Sequence, residues 1–278
     1  MTAHARLGFV AVSIPDLCVD LVAETEVLTE CLAEGFRRLG SSSGDTPTPA
    51  AGWNVRDQIA HLQFFDQAVT TAVLDPDRFV AERAQLAADP RGVAEAVAAE
   101  TRAMSLHEVE LKFADTRAAL MKVFLSADPA TRVPWYGPEM SLGAALTARI
   151  METWAHGQDV FDAFGFAHPV TSALRQVAHI GVRALPNSYR TRGLEVPTDP
   201  VRVELTADAN GDVWTWGEPD ALNRVSGPAV DFCLVVTQRR HVDDTALVRV
   251  GPIATEWMTI AQAFAGGAGS GRQPGQFA

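Results

Sequence analysis

Apolar residues recur every three or four positions along most of the stretch from residue 14 to residue 165, which is the spacing of amphipathic helices. The first such pattern starts after Ser13 and ends at Gly40, and the second runs from Asn54 to about Leu74. Ser13 and Asn54 each stand three positions before an aspartate, an arrangement that caps a helix N-terminus. Two long helices joined by a polar loop are therefore predicted at the start of the chain.

The helical pattern continues in three further segments. A short helix is predicted over residues 76–89, and a long helical region over 91–125 with a break near Ser105. Residues 133–140 form a loop punctuated by Pro and Gly, and a helix follows from Ser141 to Gly165. Four main helices with long connections predict a four-helix bundle, an architecture that places metal sites on side chains projecting inward.

After Gly165 the pattern changes to a mixture of short helices and strands. Residues 201–207 alternate as a strand does, Asn210-Gly211 predicts a hairpin turn, and residues 212–217 provide the partner strand. A stretch of irregular chain is expected at 185–200. The remaining predicted elements are helices at 171–184, 229–238 and 252–264 and a strand at 246–251.

The predicted fold class is mostly α, with a four-helix bundle followed by a small α+β domain. The expected organisation is a flexible arm, a bundle, an α+β domain and a disordered tail rich in glycine. Their predicted bounds are 1–12, 13–168, 169–265 and 266–278.

Composition excludes several classes of function. A net charge of −11 argues against non-specific binding to nucleic acid or to an anionic membrane. No apolar run is long enough to span a bilayer, and the three cysteines are too scattered for a disulfide framework or a thiolate zinc site. A cytoplasmic protein, either a monomer or a homodimer, is expected.

The Ser141 helix carries the main candidate chemistry. Glu152 and His156 are four positions apart and therefore adjacent on one helical face, with Asp159 three positions further on. Such pairs also occur on solvated helix faces. Both His156 and His61, however, have small or apolar neighbours, and their helices are the second and fourth of the bundle. His61, Glu152 and His156 are therefore predicted to share one divalent metal.

The motif WNVRDQIAHL at 53–62, followed by R-x-x-E-x-x-x-H-x-x-D at 149–159, resembles the mycothiol-dependent maleylpyruvate isomerase family, which belongs to the DinB-like metal-binding superfamily. The resemblance covers most of the chain and implies the same three ligands, His61, Glu152 and His156. Two imidazoles, one carboxylate and an open position suit catalytic Zn²⁺, although Ni²⁺, Mn²⁺ and Fe²⁺ accept the same ligand types.

The resemblance also implies a reaction. In such an isomerase a thiolate adds to an activated double bond, the bond rotates and the thiol leaves, whereas an S-transferase stops after the addition or substitution step. We therefore expect a divalent-metal-dependent enzyme that uses a small thiol, mycothiol, on a small electrophilic organic substrate.

Other residues are expected to support this site. The family places an arginine of the C-terminal domain over the metal, for which Arg239 and Arg240 are the two options, and the alternative is that they only end a helix. Trp135 and Tyr136 are predicted to contact substrate by lining an apolar cleft, and the alternative is that they pack in the core. Asp57 and Asp159 are predicted to orient the metal ligands without binding the metal themselves. For Asp57, capping of the helix is the favoured role.

Two alternatives remain open from the sequence. One is a thiol-independent metal-dependent hydrolase or lyase, such as a tailoring enzyme of secondary metabolism, in which the metal activates water or polarises a carbonyl. The other is a non-catalytic protein that binds a metal or a small ligand. A protease is disfavoured because the sequence has no His-Glu-x-x-His.

Overall fold

The structure, a computed structural model, describes residues 12–89, 92–207 and 212–277. It divides into two compact units, Ser13–Ala173 and a second that begins at Leu174. The predicted arm over residues 1–12 falls almost wholly outside the described residues, as does the predicted Asn210-Gly211 turn. None of the helices in the described ranges is both long and apolar enough to cross a membrane.

The first unit is helical. A 3₁₀ turn, Gly40–Asp45, follows its first helix, and a two-residue antiparallel pair, β1 (Arg132–Val133) with β2 (Met140–Ser141), precedes its last. Its helices are α1 (Ile14–Leu39), α2 (Val55–Leu74), α3 (Pro76–Ala87), α4 (Val93–Thr101), α5 (Leu106–Ser126) and α6 (Leu142–Phe164).

Local capping chemistry fixes the ends of the long helices. The side chain of Asn54 accepts from the Asp57 backbone N–H, and the Asp57 carboxylate accepts from the Asn54 N–H in return, which starts α2. Ser141 caps α6 in a simpler way, and Gly165 ends it with a left-handed φ of 70°. The predicted break near Ser105 is confirmed, because Ser105 and Glu108 form a second capping box at the start of α5.

The long helices α1, α2, α5 and α6 pack together as a bundle, with α4 against α2. Side chains from these helices form one apolar core. Its members include Leu28, Leu32, Ile59, Leu62, Val109, Phe113, Val160 and Phe161. We expect a core of this size to keep the bundle folded without a bound ion, in contrast to a zinc finger.

A buried ion pair links all four long helices. Arg117 of α5 donates from Nε to Asp66 of α2 at 2.6 Å, from Nη1 to Thr25 of α1 at 2.5 Å and from Nη2 to Thr153 of α6 at 3.0 Å. The Asp66 side chain is fully buried and that of Arg117 is 7% exposed. Every guanidinium nitrogen therefore has a partner, and each long helix supplies one of the four residues.

Beyond Gly165 the chain returns to α1. His168 Nε2 lies 2.7 Å from Glu24 Oε1, and Thr171 Oγ1 donates to Glu24 Oε2 at 2.6 Å. The imidazole ring of His168 stacks on Phe161 with a centroid separation of 4.4 Å. Glu24 is completely buried, so this contact gives its carboxylate hydrogen-bond partners where water is excluded.

The second unit combines a four-stranded sheet with short helices. Its strand order is β4-β3-β5-β6, in which β3 pairs parallel with β5 and the other pairs are antiparallel. The elements are α7 (Leu174–Arg183), α8 (Leu185–Arg190), β3 (Val201–Thr206), β4 (Val213–Trp216), β5 (Asn223–Pro228), α9 (Ala229–Val236), β6 (Val248–Val250) and α10 (Pro252–Ile260).

The second unit departs from the sequence predictions in three places. Residues 185–200 are not wholly irregular, because they include α8. Pro186 lies in the first turn of α8, where a backbone N–H has no helical partner and its absence costs nothing. Strand β5 was not predicted. The tail at 266–277 has neither helix nor strand but is not without contacts, since the Gly275 N–H donates to Asp244 and the Gly269 N–H to Gln262.

Candidate metal centre

Three predicted ligands converge where α2 passes α6. The Glu152 Oε2 atom lies 3.1 Å from His156 Nε2 and 3.7 Å from His61 Nε2. One ligand atom from each residue lies within 4.8 Å of the other two, and the imidazole centroids of His61 and His156 are 4.2 Å apart. The i,i+4 pair on α6 and the histidine on α2 thus form one cluster.

The spacing of the cluster suits a small divalent ion. Four tetrahedral ligands at zinc distances of about 2.1 Å stand roughly 3.4 Å from one another. The distances of 3.1 Å and 3.7 Å from the Glu152 oxygen to the two imidazole nitrogens fall on either side of that value. Two imidazoles and one carboxylate are also a ligand set that Zn²⁺ and its neighbours in the first transition row accept.

Gln58 determines which nitrogen of His156 faces the cluster. Its amide nitrogen donates to Thr48 Oγ1 at 2.9 Å, which leaves its oxygen 2.5 Å from His156 Nδ1. That oxygen can only accept, so Nδ1 carries the proton, and a neutral His156 then directs the Nε2 lone pair at the Glu152 carboxylate. Two electron-rich atoms in contact are stabilised by a cation shared between them.

The electrostatics also favour a metal-binding state. Burial, assisted by the neighbouring His156, lowers the pKa of His61 to about 4, although Glu152 acts in the opposite direction. Burial alone would raise the pKa of Glu152, but its contacts with the His156 and His61 imidazoles and the charge of Arg149 hold it well below its usual range. A neutral His61 and an ionised Glu152 are the forms that bind metal.

Aromatic rings surround the two histidines. The indole of Trp53 stacks on His156 with centroids 5.9 Å apart, and the phenyl ring of Phe65 lies 4.5 Å from the imidazole of His61. The side chains of His61 and Glu152 nevertheless remain 18% and 16% exposed. The cluster is therefore shielded by rings yet reachable from solvent, as a catalytic site with an open position requires.

Comparison with known proteins places the chain in a family. A family model described as the mycothiol maleylpyruvate isomerase N-terminal domain matches residues 26–161, and a model described as wyosine base formation matches residues 197–250. Two uncharacterized proteins of Mycobacterium tuberculosis, from strains CDC 1551 / Oshkosh and H37Rv, are each 42% identical to this chain over 253 residues, covering 91% of it and 96% of the relative. The chain belongs to the mycothiol maleylpyruvate isomerase family.

Solved structures of the family share the fold. The crystal structures of the mycothiol-dependent maleylpyruvate isomerase and of its histidine-to-alanine mutant each align with a TM-score of 0.56, at 13% and 12% identity. Each alignment covers 82% of this chain and 90% of that chain. The predicted mostly α, DinB-like architecture is thereby confirmed. The family match at 26–161 includes all three residues of the cluster.

The two aspartates predicted to support the ligands take different positions in this family member. Asp57 closes the capping box of α2, as favoured above, through its hydrogen bond with the Asn54 N–H at 3.0 Å. Asp159 is buried on α6, one turn beyond His156. Support for the ligands by Asp159 remains a prediction.

Trp135 and Tyr136 join an aromatic cluster with Phe65 and Phe79. Trp135 is 7% exposed and stacks parallel on Phe79, and Tyr136 contacts Phe65 edge to face at 5.5 Å. Tyr136 and Phe79 also line an open cleft of about 570 Å³. Phe65 also contacts His61, so the aromatic cluster reaches the metal centre. Substrate contact by Trp135 and Tyr136 remains a prediction.

Arg239 and Arg240 lie just beyond α9 in the second unit. Arg239 donates from Nη1 to the Thr237 carbonyl oxygen at 2.7 Å, and the Arg240 guanidinium lies 5.3 Å from the Phe277 ring centroid. Gln238 before them has a positive φ of 60°, which turns the chain away from the helix axis. A role for either arginine at the metal remains a prediction.

Gln58, Trp53 and Phe65 are residues of the site that the sequence analysis did not select. Their partners are far away in sequence or on another helix, since Gln58 and His156 are 98 residues apart. One signal was present, because Trp53 and Gln58 both fall within the WNVRDQIAHL motif that carries the family resemblance.

Replacing Gln58 with leucine is expected to weaken zinc binding by about 10- to 100-fold, because His156 then loses the acceptor that fixes its tautomer and ring orientation. Competition with a chromophoric chelator measures the affinity. The neighbouring variant Asp57→Asn, which perturbs only the α2 cap, serves as the control and should retain wild-type affinity. Equal weakening by both variants would assign the effect to the start of α2 and not to His156.

Proposed function

We propose that this protein is a divalent-metal-dependent enzyme that uses a low-molecular-weight thiol, mycothiol, on a small electrophilic organic substrate in an isomerase or S-transferase reaction. The observation that carries the proposal is the convergence of His61, Glu152 and His156 within one family whose name specifies that thiol. We further propose that the protein acts in the cytoplasm.

The residues of the chain prepare the site for such an ion. Gln58 keeps the His156 proton on Nδ1, so that Nε2 is available as a ligand, while burial keeps His61 neutral. Glu152 supplies the one negative charge among the three ligands, so a divalent ion bound there retains a net positive charge. Trp53 and Phe65 limit the access of water to the imidazoles.

When bound, a divalent ion lowers the pKa of a thiol that reaches its open position and so supplies a thiolate at neutral pH. No additional general base is then needed close to the cluster. Beside Glu152, the neighbours of His61 and His156 include the rings of Trp53 and Phe65 and the Gln58 amide, none of which is a base.

Turnover is expected only when zinc and mycothiol are both present. We would assay the zinc-loaded protein with maleylpyruvate, following the product by chromatography and mass spectrometry, and omit the thiol or add a chelator in parallel reactions. A product of unchanged mass indicates an isomerase, and a product heavier by one thiol indicates an S-transferase. If zinc-dependent turnover continues without thiol, the proposal is overturned in favour of a metal-dependent hydrolase or lyase. If the protein binds zinc but turns over none of the electrophiles tested, a non-catalytic binding protein is favoured.

A further inference from the structure

The open cleft of about 570 Å³ is formed by side chains of α2, α3 and α4 together with Tyr136. Its volume falls within the range of about 300–1,000 Å³ that small-molecule sites occupy. The described residues that line it do not include His61, Glu152 or His156, so the cleft is a feature of the bundle separate from the metal cluster.

The polar groups that line the cleft are amides, a hydroxyl and carboxylates. Gln67 and Gln85 present the amides, Thr71 the hydroxyl, and Glu82 and Glu100 two of the carboxylates. A carboxylate only accepts hydrogen bonds, whereas an amide or a hydroxyl both donates and accepts. A ligand that matches this lining therefore has to donate and accept as well, as hydroxyl groups do.

The charges of the lining disfavour an anionic ligand. Neither lysine nor arginine is among the described residues that line the cleft. Glu82 is already paired with Arg78, whose Nε lies 2.7 Å from Glu82 Oε1, and Asp89, a third carboxylate of the lining, also has a partner. A neutral ligand with several hydroxyl groups thus fits the cleft better than a carboxylate, which would be repelled, or an ammonium, for which Glu82 is already neutralised.

Aromatic rings supply the apolar part of the lining. Phe64 and Tyr136 are half-buried and both line the cleft. Burial, assisted by Glu82, raises the pKa of Tyr136 to about 12, so its phenol stays neutral and can donate. The ring of Tyr136 lies 5.5 Å from that of Phe65, which lies 4.5 Å from the imidazole of His61. Two ring contacts therefore separate the cleft from the metal cluster.

We propose that this cleft binds a neutral, polyhydroxylated ring, such as a sugar or a cyclitol. The rings of Phe64 and Tyr136 pack against its C–H groups, and Gln67, Gln85 and Glu100 form hydrogen bonds with its hydroxyls. Two sources carry this chemistry. One is the hydroxyl-rich part of mycothiol, which rests on the function proposed above, and the other is a separate sugar ligand.

Saturation-transfer difference NMR on the full-length protein, without metal or thiol, tests the cleft, because it detects only ligand protons in contact with the protein. We expect a saturable signal from methyl α-D-glucoside and a weaker one from methyl α-D-glucuronide, which carries a carboxylate on the same ring. Ala99→Phe, which fills the cleft from α4, should remove the glucoside signal. Gln85→Leu, at an exposed position of α3, removes one amide and should weaken binding several-fold.

The matched control is Ala98→Phe, which adds the same ring at the neighbouring position of α4, where the side chain lines a different cavity beside Trp53. That variant should keep the glucoside signal. The proposal is overturned if the glucoside gives no signal, if the signal survives in Ala99→Phe, or if the glucuronide binds more tightly than the glucoside.

Adding mycothiol to the same sample separates the two sources and needs no turnover. Loss of the glucoside signal assigns the cleft to the hydroxyl-rich part of the thiol, and a signal that persists assigns it to a separate sugar ligand. Because metal and electrophile are both absent, a later failure of turnover would defeat the proposed function and leave binding in the cleft established.

Discussion

His61→Ala is expected to reduce bound zinc from about one ion per chain to nearly none and to abolish thiol-dependent turnover. His61 is the ligand that α2 contributes, and the two ligands left on α6 cannot hold the ion with catalytic affinity. The bundle should remain folded, because its apolar core extends from Leu28 on α1 to Phe161 on α6 without the metal. Elemental analysis, steady-state kinetics and circular dichroism measure the three quantities.

The control for this experiment is His107→Ala, since the side chain of His107 is 75% exposed at the start of α5. That variant should match the wild-type protein in zinc content and turnover. A His61→Ala protein with stoichiometric zinc would remove His61 from the site. Loss of most of the helical signal in His61→Ala or after chelation would show that the metal is structural.

Arg117→Met should destabilise the bundle by about 3–5 kcal/mol, because it leaves the Asp66 carboxylate buried without its cation. One Asp66 oxygen already lacks a hydrogen-bond partner, and the change removes the Arg117 N–H from which the other oxygen accepts. Urea unfolding followed by circular dichroism gives the free energy of unfolding. Replacing both residues, as Arg117→Met with Asp66→Leu, should recover most of the loss.

The matched control is Arg78→Met on α3, which removes an ion pair whose side chains are 59% and 47% exposed. That change should leave the free energy of unfolding close to the wild-type value, since water screens the pair and solvates the remaining glutamate. Similar losses for Arg78→Met and Arg117→Met would show that the buried contact across the four helices contributes little to stability.

The helices of the first unit could be predicted because their end signals are local. Ser13, Asn54, Ser105 and Ser141 each cap a helix through an atom three residues away, and Gly165 ends α6 by its own conformation. The pairing of Glu152 with His156 is equally local, since one helical turn separates them. These parts of the structure depend on neighbours that are visible in a short window of sequence.

The features that were missed depend on distant partners. Strand β5 contains Asn223, Gly227 and Pro228, residues that do not favour strands, and it forms because β3 pairs with it in parallel and β6 on its other side. The hydrogen bond between Gln58 and His156 joins α2 to α6, and the hydrogen bond between Arg117 and Asp66 joins α5 to α2. Such contacts follow from the packing of the bundle and have no signature in the sequence spacing.

The contact of His168 and Thr171 with Glu24 has a consequence for how this module can be recombined with others. A fragment cut at the limits of the family match, residues 26–161, lacks Glu24 as well as His168 and Thr171. A fragment that starts at Ser13 and ends at Gly165 keeps Glu24, but its buried carboxylate loses these two hydrogen-bond partners. An unpaired buried carboxylate becomes protonated or opens the structure to water. The portable building block for chimeras is therefore residues 13–173, in which the seven residues from 167 to 173 belong to the bundle although they lie beyond its last helix.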